Sequence, residues 1–152
     1  MGSFFGDQQW LIIALIFFGM IGYISWIRWR DRKWIDARFG SDQILAMSFG
    51  VNYFGRSSEP GPPRRSSGFL LLLSDRLFYR SRMGKLQVEI QGSRIARAYP
   101  DRTLKGVDLH QSVMKVDFLN EHDDKDTAAF KVPYPPQWIR AIENALIKTP
   151  KS

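Results

Sequence analysis

Hydrophobic positions along this chain keep three different rhythms. Residues Trp10 to Ile27 (WLIIALIFFGMIGYISWI) are 18 positions without one charged side chain. Between about Ile44 and Val132, short apolar runs alternate with polar residues at a period of two. After Pro135 apolar residues return at spacings of three and four. The first rhythm predicts a membrane-spanning helix, the second a set of β-strands and the third one amphipathic helix.

A helix of 18 residues covers about 27 Å, close to the roughly 30 Å hydrocarbon core of a bilayer. It satisfies its own backbone hydrogen bonds and so strands no polar group in lipid. Trp10 at one end and Trp26, Trp29 and Trp34 at the other stand where interfacial anchors belong. A buried core helix would instead need a large domain around it. Asp7 is the one charged residue before the span, whereas Arg28, Arg30, Arg32, Lys33 and Arg38 follow it. That asymmetry orients the N-terminus outside and the rest of the chain in the cytoplasm, at the plasma (inner) membrane. A cleaved signal would show basic residues before the run and a small-x-small site after it, and Ile27-Arg28-Trp29-Arg30 offers none. Gly6 stands where a myristoylation signal wants Ser or Thr.

Downstream, Ile44 to Phe54 reads as a strand, and Gly55 to Ser67 (GRSSEPGPPRRSS) as a loop that Pro62-Pro63 bars from being helix or central strand. Gly68 to Leu73 forms the next strand, Ser74-Asp75 a tight turn and Arg76 to Arg82 a third strand. Met83-Gly84 makes a second turn, and Leu86 to Ile90 alternates strictly. Ile95 to Tyr99 is a short strand, with a fainter strand signal over Thr103 to Val107. Val113 to Leu119 alternates again, Asn120 to Asp126 (NEHDDKD) is a polar hairpin loop, and Ala128 to Val132 returns as the last strand. Pro135-Pro136 can open a helix whose Trp138, Ile139, Ile142, Ala145 and Leu146 share a face. A small curved antiparallel sheet leaves an open end, and a helix with an apolar stripe closes it.

The order of these strands, the central Gly68-Phe-Leu-Leu-Leu-Leu-Ser-Asp-Arg-Leu-Phe-Tyr, the Val88-Glu-Ile-Gln-Gly-Ser-Arg-Ile95 stretch and the closing Gln137-Trp-Ile-Arg-Ala-Ile142 resemble pleckstrin-homology-like domains. The nearest branches are the GRAM and bacterial pleckstrin-homology ones. The resemblance implies a mainly β fold, a seven-stranded antiparallel sandwich or barrel capped by one C-terminal helix. It also implies a binding scaffold for phosphoinositides, other anionic lipids or peptides. The resulting organisation is an extracytoplasmic tail (1–9), a transmembrane helix (10–27), a basic juxtamembrane linker (28–43) whose Trp34 to Gln43 spans up to about 33 Å if extended, a cytosolic domain (44–148) and a tail (149–152).

Charge sharpens the functional reading. All 22 basic residues lie at or beyond Arg28, together with 14 of the 15 acids, and the excess of bases lies before residue 110. A basic half facing an anionic leaflet is the plain electrostatic reading, and membrane tethering speaks against nucleic acid as the partner. In a meander the first and third loops share one end. That groups Arg56, Arg64 and Arg65 with Arg80, Arg82 and Lys85, the end that takes the headgroup in lipid-binding relatives. Arg80-x-Arg82 falls on the third strand, whereas phosphoinositide-binding members place their basic motif across the first hairpin. A solvated basic loop end remains the bland alternative. Arg28, Arg30, Arg32, Lys33 and Arg38 form a second lipid contact, worth about 1 kcal/mol per base near an anionic surface. Gly19, Gly22 and Ser25 recur every three residues and offer a helix-packing face, although the better-attested spacing is four.

An enzyme is not expected. With no cysteine, thiol catalysis, disulfides and Cys-ligated zinc are excluded. His110 and His122 belong to no metalloprotease, hydrolase, P-loop or EF-hand spacing, and Glu121-His122-Asp123-Asp124 fills a turn, where Asp and Asn serve their own hydrogen bonding. No cofactor or metal is expected. The alternative to a lipid- or acidic-peptide-binding module is a non-catalytic scaffolding subunit with a protein partner in a membrane complex. If the domain stands upright, its basic loops lie at the far end of the first strand from the anchor, which favours that alternative.

Overall fold

A computed structural model describes residues 2–82 and 84–147. The chain divides into two compact units, Met1–Ser41 and Asp42–Ser152.

The first unit is one helix, α1, Gly2–Arg38. It contains a window long and apolar enough to cross a membrane, and the large side chains from Trp10 to Trp26 along it are exposed. The helix runs on at both ends of the expected span. Residues 2–9 are helical too, and the basic segment is helical to Arg38. The reason is local. From Ile24 to Phe39 the chain has no Gly or Pro, and Arg, Lys, Ala and Trp alternate at helical spacing. Three cation–π pairs at i, i+4 stitch this stretch: Arg30 over Trp26 at 5.2 Å, Lys33 over Trp29 at 4.1 Å and Arg38 over Trp34 at 5.3 Å. Gly40 follows the helix, and a short 3₁₀ turn covers Ser41–Gln43.

The second unit contains seven strands and a helix: β1 Ile44–Arg56, β2 Ser66–Leu73, β3 Arg76–Ser81, β4 Gln87–Gln91, β5 Ile95–Leu104, β6 Val107–Leu119, β7 Lys125–Lys131 and α2 Pro135–Ala145. All pairings are antiparallel, in the order β4-β3-β2-β1-β7-β6-β5. Two meanders, β1–β4 and β5–β7, therefore join where β1 pairs with β7. With α2 packed on the sheet, this is the mainly β, seven-stranded antiparallel fold closed by one C-terminal helix that the sequence reading expects.

Inward residues of the alternating strands make the core: Val51 and Tyr53 on β1, Leu70 and Leu72 on β2, Leu77 and Tyr79 on β3, Val88 and Ile90 on β4, Met114, Val116 and Phe118 on β6, and Ala128 and Phe130 on β7. Tyr53, Tyr79 and Phe130 stack with centroids 5.1–5.9 Å apart. Trp138 and Ile142 of α2 are buried against this core, and Ile139, Ala145 and Leu146 are packed beside them, as their spacing requires.

Two boundaries differ from the sequence reading. Thr103 to Val107 is not a strand of its own but the tip of the β5–β6 hairpin. Lys105 and Gly106 both have positive φ, 55° and 76°, and Leu104 pairs with Val107 across them. A two-residue turn with both φ positive matches the twist of the flanking strands. β7 begins at Lys125, inside the expected polar loop, because Asp126 shares the inward face of Ala128 and Phe130. Pro100 sits on β5, an edge strand, where proline is tolerated. On the opposite face of the sheet Phe54, Leu104, Val113 and Ala129 form a smaller buried cluster.

Candidate functional site: a basic loop end

Three loops meet at the end of β1. The β1–β2 loop (57–65) and the β3–β4 turn (82–86) adjoin directly: Gly68 pairs with Ser81, and Arg82 N–H donates to Ser67 O at 2.8 Å. Sequence reasoning placed these two together. The β6–β7 turn (120–124) is the third member, because β7 starts where β1 ends. Ser57 N–H donates to Thr127 O, and Arg56 pairs with Ala128.

Asp126 moors the β1–β2 loop. Its side chain is fully buried and accepts from Ser57 Oγ at 2.9 Å, Ser58 N at 3.1 Å, Ser58 Oγ at 2.6 Å and Thr127 N at 2.9 Å. Burial by itself would raise its pKa, but the hydrogen bonds from Ser58, Ser57 and the Thr127 N–H outweigh burial and hold the carboxyl below its ordinary value. Lys105, at the tip of the β5–β6 hairpin, donates to the carbonyls of Glu59 and Gly61 and ties the loop from its other side. Tyr53 OH donates to Glu59 Oε1 at 3.3 Å; burial first, and Glu59 second, push that phenol well above its usual range.

The six sequence candidates fall into separate groups. Arg56 is engaged internally: Glu59, Glu121 and Asp126 lie 3.9, 3.5 and 3.9 Å from its guanidinium. Its own carboxylates thus compete with any outside anion. Arg80 is half-buried, and its guanidinium lies across Gly84, where a Cβ would stand 2.6 Å from Nη2. Arg82 is exposed in the turn between them. Arg64, Arg65 and Lys85 are exposed and have no ion pair among the described residues. Met83, the first residue of the expected turn, lies outside the described residues.

The third loop has the opposite sign. Asn120 organises it, accepting on Oδ1 from the N–H groups of His122 at 2.9 Å and Asp124 at 3.1 Å. Its acids are partly matched by Arg94, which donates to Asn120 O at 2.7 Å and Asp123 Oδ1 at 2.9 Å. This is the side-chain-capped turn expected of that sequence. Sequence reasoning did not bring these acids to the basic end, nor assign Asp126 and Lys105 their roles. The period-two row Asp126, Ala128, Phe130 was the available signal for Asp126.

The juxtamembrane candidates Arg28, Arg30, Arg32, Lys33 and Arg38 are exposed on α1. Gly19, Gly22 and Ser25 are exposed too, but at 100° per residue their spacing of three drifts by about 60° a step, so the three spread over roughly 120° of the helix surface.

No family model and no curated protein matches the chain. Among solved structures, the C-terminal domain of an unknown protein from Leishmania infantum superposes with a TM-score of 0.53 at 15% identity, covering 80% of this chain and 99% of that one. That likeness is one of fold alone. The Vps36 N-terminal PH domain aligns over 72% of this chain and 86% of its own length, with a TM-score of 0.48 and 12% identity.

Proposed function

We propose that this chain is a single-pass membrane protein, N-terminus outside, whose cytoplasmic pleckstrin-homology-like unit, of the GRAM or bacterial branch, is a non-catalytic module that binds anionic lipid headgroups through its basic loop end. The observation that carries the reading is the separation of roles there. Arg56 is neutralised within the fold, while Arg64, Arg65 and Lys85 stand exposed on two adjoining loops with no ion pair among the described residues. Arg is suited to phosphate because its planar fork donates two parallel hydrogen bonds. Asp126 and Lys105 hold the β1–β2 loop, which lowers the entropy lost when a headgroup is gripped. The exposed bases of α1, stacked on Trp26, Trp29 and Trp34, supply a second contact with an anionic leaflet.

The test uses the full chain in nanodiscs of neutral lipid, mixed with liposomes containing a fifth of an anionic phospholipid. The discs should float with the liposomes at low salt and release as salt rises, because exposed charges are screened over about 8 Å at physiological ionic strength. Reversing Arg64, Arg65 and Lys85 to Glu should abolish flotation, while reversing Arg28, Arg30 and Arg32 should only weaken it. Wild-type discs that ignore anionic liposomes at low salt, or a triple reversal that floats normally, would remove the loop end from consideration.

A further inference from the structure

The first half of β1 is a place where the sheet's own pairing stops. β1 pairs with β2 from Ile44 onward, but with β7 only from Asn52. β7 ends at Lys131, and Pro133, which has no N–H, leads the chain away into α2. Among the described residues, the β7-side edge of residues 44–51, which carries bulges around Leu45 and Gly50, therefore has no strand partner. An open edge exposes backbone donors and acceptors and is a template for another strand.

Beside this edge lies a cavity of about 350 Å³ between β1 and α2, lined by Ala46, Met47, Pro133, Tyr134, Trp138 and Ala141 among others, none of them charged. Tyr134 forms its lip. It is 73% exposed and held in a left-handed conformation, φ 53°, at the start of α2. A bulky residue rarely adopts that conformation without its surroundings imposing it. Trp138, buried in the core, also lines the cavity.

These features together define an occupant. The unpaired edge calls for an extended backbone, and the uncharged cavity takes one or two large apolar side chains from that strand. A helix, about 10 Å across, would fill the cavity but leave the β1 edge unpaired. We infer that the groove between β1 and α2 is a docking site for an extended segment of a partner protein, added to the sheet as an eighth strand with an apolar residue seated beside Trp138. The groove is separate from the basic loop end, since residues 44–51 lie at the other end of β1 from Arg56. Its occupant is a neutral peptide and not a headgroup.

The experiment selects phage-displayed random 12-residue peptides on the full chain in detergent, with counter-selection on Gln137→Trp, which places an indole over the exposed rim of the cavity, and on Ala141→Leu, which fills it. Proline-poor peptides with one large apolar residue should be enriched on the wild type and should bind each variant at least tenfold more weakly. Bound peptide should slow hydrogen exchange of amides within 44–51. Gln137 is exposed, so its variant should keep the wild-type melting temperature even if Ala141→Leu does not. Three results would overturn the inference: no peptide preferring the wild type, protection that falls outside β1, or self-association of the wild type that Gln137→Trp abolishes, which would assign the groove to a second copy.

Discussion

Replacing Asp126 by Ala should loosen the loop end and lower stability by about 3 kcal/mol. The buried carboxylate accepts four hydrogen bonds. Bonds to a charged group are worth about 1.5–3 kcal/mol each when considered singly. They do not add here. The two serine hydroxyls can turn to water, and Thr127 N–H keeps its second acceptor, Ser57 Oγ, at 3.1 Å. The irreducible loss is the Ser58 N–H left without its acceptor and one carboxylate near Arg56. For a unit of about 100 residues, about 3 kcal/mol lowers the melting temperature by roughly 10–20 °C. Asp126→Asn keeps an acceptor but no charge and should cost about half as much. Because the folded carboxyl titrates below its ordinary value, its contribution is complete above the unfolded value near pH 4 and is lost as pH falls through the folded one. The gap between wild type and Asp126→Asn should therefore close below about pH 4. Far-UV circular dichroism of the β signal, on the full chain in detergent, reads both effects. An Asp126→Ala protein melting within about 2 °C of wild type, or a gap unchanged between pH 7 and pH 3, would refute the mooring role.

Trp138→Ala should destabilise the sheet unit by about 3–5 kcal/mol, since the indole is buried against the core; chemical denaturation of the same sample measures it, and an indifferent variant would mean that α2 does not close the sheet. Gly68→Ala should cost at least about 3 kcal/mol, because a Cβ there would stand 2.0 Å from the Arg80 carbonyl oxygen on the neighbouring strand; wild-type yield and melting would refute that close approach. In intact cells, Ser3→Cys should be labelled by an impermeant maleimide and Ser152→Cys should not, and the reverse pattern would invert the proposed topology.

Most of the fold was legible because the physics that sets it is periodic. The strict alternation of Leu86 to Ile90 and Val113 to Leu119, and the three-and-four spacing of Trp138, Ile142 and Leu146, each report a face in contact with one core. What the sequence hid was geometry that periodicity does not encode. Lys105-Gly106 looks like the middle of a weak strand until both residues take positive φ and fold it into a turn. Arg28 to Arg38 reads from composition as a basic juxtamembrane linker, and the Trp–cation pairs that support its helix are matters of spacing. At the loop end, Arg64, Arg65 and Lys85 could be grouped by counting turns, but the neutralisation of Arg56 could not. It depends on Glu121, in the β6–β7 turn, and Asp126, on β7, arriving from about 65–70 residues away.

The position of β1 between β2 and β7 also sets an order of events during synthesis. β2 follows β1 after a nine-residue loop, whereas β7 is made about 70 residues later. At roughly 5–20 residues per second that interval lasts about 3–14 s. Local pairings close before distant ones, so the β1–β4 meander can assemble while the far side of β1 waits for its last neighbour. Over that time Tyr53 and Tyr79 lack Phe130, the third ring of their stack, and the nascent sheet carries two open edges. The slow step in maturation is then the arrival of β7, and a ribosome stalled before Lys125 should hold an exposed half-sheet that recruits chaperones, whereas one stalled well beyond Leu146 should not.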